Sequence, residues 1–109
     1  MSTANDLYGF KNESFENVAN AIERTLNMSW TKHHSSFLGE YYQYGNRIVH
    51  HLILQKNYLE EDEDWMESKF IDFPILLYSN NTEDYQQRET TLLNSIPSAT
   101  ILRRKIYDE

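Results

Sequence analysis

The stretch Phe73-Pro-Ile-Leu-Leu-Tyr78 is nearly continuous in apolar side chains. It falls far short of the ~20 apolar residues of a membrane span, and it has no polar face. Such a run suits a strand at the centre of a sheet, buried on both sides. Pro74 has no N–H for a ladder, so it must sit where that strand begins. A chain built around this strand needs other strands beside it and cover for its faces.

The rest of the sequence supplies both. Phe15, Val18, Ala19, Ile22 and Leu26 recur at helical spacing. Ser14 is placed to cap that helix, and Glu16 complements its positive end. A weaker stripe of Tyr85, Leu92, Leu93 and Ile96 predicts a second helix, opened by Asn80-Asn81-Thr82 and stopped by Pro97. Three strands are expected across residues 28–56. The first carries Met28, Trp30 and Lys32, the second spans 37–44, and the third, 47–55, carries Ile48, Val49, Leu52, Ile53 and Leu54. Gly45-Asn46 supplies a turn, and the short connections favour an antiparallel meander. Leu7-Tyr-Gly-Phe10 reads as a short edge strand, and residues 99–107 as a last strand in which Ile101, Arg103 and Lys105 alternate with Leu102, Arg104 and Ile106. The order is β-α-β-β-β-loop-β-α-β. Two helices cannot cover both faces of six strands. The expected fold is therefore α+β: a mostly antiparallel sheet of about six strands, both helices on one face and the other face partly open. With 109 residues and neither a repeat nor a linker, residues 1–109 are expected to form one domain.

The formal charge is −7, and its distribution is lopsided. Residues 57–72 hold seven acids against one base, a net −6, while the remainder carries ten acids and nine bases. An acidic patch repels nucleic-acid phosphates and anionic membranes, so neither is an expected partner. It steers a basic protein. The run Glu60, Glu61, Asp62, Glu63 and Asp64 is too dense to bury and is expected in a solvated loop, or in one turn of helix around 64–67, serving either solubility alone or as an interaction surface. Tyr58, Leu59, Trp65 and Met66 bracket it, and aromatic anchors beside charge are the composition of an interface. The competing role for Trp65 is to fold back and pin the loop to the core. Glu67 completes the acidic surface. Tyr42 and Tyr44 share one strand face, with Tyr41 on the other, and with His50 they are candidates to extend that surface.

Catalysis finds little support. His33-His34 and His50-His51 are adjacent pairs that point to opposite faces of a strand, so neither is a chelate and no metal site is expected. The glycines, Gly9, Gly39 and Gly45, are scattered, which leaves no phosphate-binding loop. The expectation is a binding protein with no cofactor. The alternative is a small ligand-binding or enzymatic α+β domain with a pocket near His34, His50 and Glu40. The absence of cysteine and the polar segment at residues 1–6 point to the cytoplasm.

Leu7-Tyr-Gly-Phe10 before a helix, Ser35-Ser36 with Gly39-Glu-Tyr-Tyr42, Leu54-Gln55-Lys-Asn57, Phe73-Pro-Ile-Leu-Leu-Tyr78 and a terminal Leu102-Arg103-Arg104 follow one another in this chain. In that order they resemble bacterial immunity proteins of polymorphic toxin and contact-dependent growth inhibition systems. The resemblance runs over nearly the whole chain. It implies a monomer that forms a 1:1 heterodimer with a cognate toxin domain, a basic nuclease, with an EndoU-type RNase as the expected class. It also implies that the acidic segment covers the nuclease active site.

Overall fold

The computed structural model describes residues 2–46 and 50–108. Arg47, Ile48 and Val49, expected at the start of the third meander strand, lie outside the described residues. The elements run β1 (Ser2–Phe10), α1 (Phe15–Leu26), β2 (Thr31–Ser35), β3 (Gly39–Gly45), β4 (His51–Lys56), β5 (Tyr58–Leu59), β6 (Asp64–Trp65), a 3₁₀ turn (Ser68–Phe70), β7 (Ile75–Thr82), α2 (Tyr85–Ser95) and β8 (Ala99–Asp108).

Six strands form one sheet in the order β2-β3-β4-β7-β1-β8, with every pairing antiparallel. The apolar run expected at the centre is there: β7 pairs with β4 on one side and β1 on the other, and Pro74 immediately precedes it. Leu76 and Leu77 face opposite sides and both are fully buried. β2, β3 and β4 form the expected meander. The fold is α+β, as the alternation of patterns implied.

Two local expectations are corrected. β1 is nine residues long and lies inside the sheet between β7 and β8, so it is no edge strand. Its polar first half hid it, because Asp6 is buried against Arg104. Asn80, Asn81 and Thr82 finish β7 and do not open α2, which begins at Tyr85 after Asp84.

Both helices pack on the same face. One buried cluster joins Val18, Ala19 and Ile22 of α1 and Leu92 of α2 to Tyr8, Phe10, Tyr42, Leu52, Leu54 and Leu77 of the sheet. Ser14 caps α1 by accepting from the Asn17 N–H at 3.1 Å. α1 ends on Asn27 in the left-handed region, φ 52°. Tyr42 ties α1 to β3: its ring stacks on Phe15 at 5.4 Å and its hydroxyl donates to Glu16 at 3.0 Å.

Beside Leu92, α2 meets the sheet through polar groups, which accounts for its weak apolar stripe. Arg104 forks onto Asp6 with two bonds of 2.9 Å and also reaches Glu89 at 2.9 Å. Arg88 donates to Ser79 Oγ at 3.1 Å and lies against His50 Nε2. On the opposite face, residues 57–73 lie over part of the sheet. A Cβ on Gly9 would stand 2.7 Å from the Phe73 ring, so only glycine allows this segment to approach β1.

Candidate functional site

The acidic run is neither a loose loop nor a helical turn; the 3₁₀ turn Ser68–Phe70 follows it. β5 and β6 pair antiparallel, Tyr58 opposite Trp65 and Leu59 opposite Asp64. The four residues between them, Glu60, Glu61, Asp62 and Glu63, are the tip of a hairpin. The Glu63 N–H donates to the Glu60 carbonyl at 3.3 Å, and Glu63 closes the turn at φ 49°. A four-residue tip closed by a left-handed residue is a common hairpin geometry. A side chain there costs about 1 kcal/mol relative to glycine. The five acids, residues 60–64, are all exposed.

Five like charges on so short a hairpin repel one another, and two-stranded hairpins are marginal alone. Two clasps hold this one. The first is Asn57, fully buried. Its Nδ2 donates to the carbonyls of Glu67, Phe70 and Phe73 at 3.4, 3.0 and 3.0 Å, and its Oδ1 accepts from the Glu67 N–H at 2.8 Å. Its own N–H donates to the Pro74 carbonyl, and its carbonyl accepts from Met66 N–H at 2.7 Å. One side chain thus closes both ends of the excursion. The second clasp is Glu67. It accepts a bidentate pair from Arg103 at 3.0 and 3.1 Å and the Tyr78 hydroxyl at 2.6 Å. Burial alone would raise the Glu67 carboxyl, but the bonds from Arg103 and Tyr78 outweigh it and hold the group below the usual carboxylate range.

The expected site residues therefore divide. Glu60, Glu61, Asp62, Glu63 and Asp64 are presented to solvent as one group. Tyr58 is 42% exposed and meets Trp65 edge to face at 5.1 Å. Trp65 is half-buried, and Leu59 is buried. Glu67 is spent on Arg103 and Tyr78. Tyr42 is corrected outright: it faces the helices and is buried under α1, so its ring offers no open surface. Tyr44 and His50 are exposed and half-buried respectively, in edge contact at 6.3 Å, but they lie at the far end of β4 from the hairpin. About 17 Å of strand separates the two places. They do not extend the acidic surface. Sequence reasoning missed Asn57, whose only signal was its position just before the aromatic-acidic segment.

Beside the hairpin is a pocket of about 240 Å³, lined by the β2–β3 turn and by the hairpin root. His34, Phe37, Glu40, Tyr58, Glu60 and Glu61 contribute to it. His34 and Glu40, two of the three groups named in the alternative reading for a ligand pocket, are opposite each other across β2 and β3. His50 is not with them, so that reading's three groups do not converge. A wider cleft of about 680 Å³ lies between the start of α1 and the end of α2, and its lining includes one carboxylate, Glu13, and no histidine. Among the described residues no group of three His, Cys, Asp or Glu side chains is placed to hold a metal ion. No helix among them is long and apolar enough to cross a membrane.

His50 has a separate consequence. Burial, then the Arg88 charge, then His51 lower its pKa from 6.5 to about 4. The unfolded chain takes up this proton near pH 6.5, while the folded chain refuses it until about pH 4. The unfolded state binds more protons across that window, so stability is full above pH 6.5 and falls as pH drops toward 4. Solvent reaching the ring screens the effect to about 1–2 kcal/mol. Urea unfolding of the wild type and of His50→Gln, compared at pH 7 and pH 5, is expected to show a smaller loss in the variant. Equal losses would mean that His50 does not carry this slope.

Comparison with protein-family models and with curated proteins gives no match.

Proposed function

We propose that this chain is an immunity-type inhibitor. It acts in the cytoplasm as a monomer and forms a 1:1 complex with a cognate toxin nuclease, an RNase, whose basic active site it covers. The observation that carries this reading is the hairpin: five exposed carboxylates at residues 60–64 on a support held by Asn57 and by Glu67. A solubility loop needs no such support. Holding repelling charges in one place costs stability, and proteins accept local costs of this kind at functional sites. A nuclease cleft is basic because it holds phosphates, and a fixed row of carboxylates presents a comparable charge. Electrostatic steering then gives the fast capture that a lethal enzyme demands.

The direct test mixes the protein with the toxin domain encoded beside it and measures RNA cleavage. Stoichiometric protein is expected to abolish cleavage; activity that persists in excess protein overturns the reading. A finer test replaces Glu60, Glu61, Asp62, Glu63 and Asp64 by their amides. The association rate at low salt is expected to fall about tenfold or more, and its salt dependence to flatten. An unchanged rate would move the interface elsewhere.

A further inference from the structure

The pocket beside the hairpin is short of a cation. Its lining includes Glu60 and Glu61, which make no ion pair among the described residues. Neither Lys56 nor Lys32 forms an ion pair with Glu60 or Glu61. Lys56 contributes to the lining, but its ammonium lies over the Phe15 ring of α1, 5.6 Å from the centroid. Lys32 pairs with Glu40 at 3.7 Å. The walls also include two aromatic rings with unused surface, Phe37 at 49% exposure and Tyr58 at 42%. The Ser35 hydroxyl accepts the Leu38 N–H at 2.8 Å, which fixes the turn that carries Phe37.

Resting on the reading of the hairpin as a surface for a basic partner, we propose that this groove is a guanidinium pocket. An arginine side chain of the partner enters it, lies against the Phe37 and Tyr58 rings and pairs with Glu60 and Glu61. Each property of the groove selects this occupant. An apolar side chain would cover the two carboxylates without pairing them, which is costly. An anion would meet like charge. Lysine would satisfy the charge, but its ammonium is compact and strongly hydrated. A guanidinium is planar, stacks on aromatic faces and offers a fork that matches a carboxylate. The groove has both surfaces and carboxylates for it. This gives the acidic site a specific anchor in addition to long-range attraction, and anchors of this type dominate interface energetics.

The test uses the intact chain and three capped tripeptides, acetyl-Gly-X-Gly-amide, with X arginine, lysine or citrulline. Citrulline keeps the shape of arginine and removes its charge. Titrations are read by ¹H–¹⁵N chemical shifts at low salt. The arginine peptide is expected to shift residues 34–40 and 56–61 saturably, with a Kd of roughly 1 mM. The lysine peptide is expected to bind several-fold more weakly, and citrulline not to saturate. The exposed double variant Glu60→Gln/Glu61→Gln is expected to weaken the arginine peptide at least about fivefold. Equal binding of citrulline, shifts elsewhere, or a double variant that titrates like wild type each overturns the pocket. The two proposals fail separately. If the arginine peptide binds as expected but the chain leaves toxin activity untouched, the pocket stands and the inhibitor reading falls. If Phe37→Ala and Glu60→Gln/Glu61→Gln capture the toxin with wild-type affinity, the inhibitor reading stands and the pocket falls.

Discussion

Asn57→Ala is expected to free residues 58–73 from the sheet and to lower global stability by about 3 kcal/mol. The side chain's two N–H groups donate to the Phe70 and Phe73 carbonyls and share a longer bond with the Glu67 carbonyl, and its oxygen accepts one N–H, all within residues 67–73. A hydrogen bond contributes about 1 kcal/mol net, but a buried group left without its partner costs about 1–3 kcal/mol. Alanine would leave carbonyls and an N–H stranded around a fully buried position and would open a cavity as well. Relief comes only if the segment peels away to water. Urea unfolding gives the global number, and limited proteolysis gives the local one, as new cleavage inside 58–73 under conditions where the wild type resists. Asn57→Asp is expected to be no better, because it keeps the acceptor, loses both donors and sets a charge against three carbonyls. Wild-type stability in both variants would show that the excursion is held by something other than Asn57. Asn57→Ala also separates two parts of the proposed function. Its charge is unchanged, so steering and the salt dependence of association should survive. The hairpin is no longer preorganised, so dissociation should quicken.

What the sequence announced and what it concealed follow one physical division. Patterns with a local period were legible: the α1 stripe from Phe15 to Leu26, its Ser14 cap, the central apolar strand and the antiparallel meander. Each depends on residues a few positions apart. What concealed itself depends on partners far along the chain. Asp6 sits in β1 because Arg104 neutralises it, 98 positions away, and from sequence alone it only made the strand look short and marginal. Asn57 is a polar residue whose partners lie 10 to 16 positions downstream. Glu67 looked like one more acid of a solvated run until Arg103, 36 positions on, took both its oxygens.

The candidate site shows the same division. Alternation placed Tyr42 and Tyr44 on one face of β3 correctly, but no local pattern says which face the helices will take. They took the tyrosine face, and Tyr42 became core. The charge run marked residues 60–64 as exposed, yet it hid a hairpin, because the turn position that favours glycine or asparagine carries Glu63. The flanking Tyr58-Leu59 and Trp65, strand formers on either side of a four-residue gap, were the signal that a hairpin was there.

Arg104→Met is expected to destabilise the protein by about 3–5 kcal/mol, a large share of the stability of a domain this size. The Asp6 side chain it leaves behind is 1% exposed and receives both of its short bonds from that guanidinium. The Tyr8 hydroxyl, which also donates to Asp6 among the described residues, is 3.5 Å away, at the limit of a useful bond. A buried carboxylate in that position must either stay charged without a partner or take up a proton, and both weaken the fold. Arg103→Met, one residue earlier, is the informative control. It removes the same kind of side chain and the same bidentate geometry, but from a pair whose arginine is half exposed. Its cost is expected to be about 1 kcal/mol. If the two variants lose equal stability, burial of Asp6 is not what makes Arg104 matter. The double variant Asp6→Leu/Arg104→Met carries the argument to its end. Removing both charges leaves no stranded carboxylate, and Glu89, the third member of the cluster, is partly exposed and can turn to water. The double variant is therefore expected to be more stable than Arg104→Met alone. Thermal or urea unfolding of the four proteins in the cycle measures that coupling, and strictly additive losses would show that the Asp6–Arg104 pair does not act as a unit.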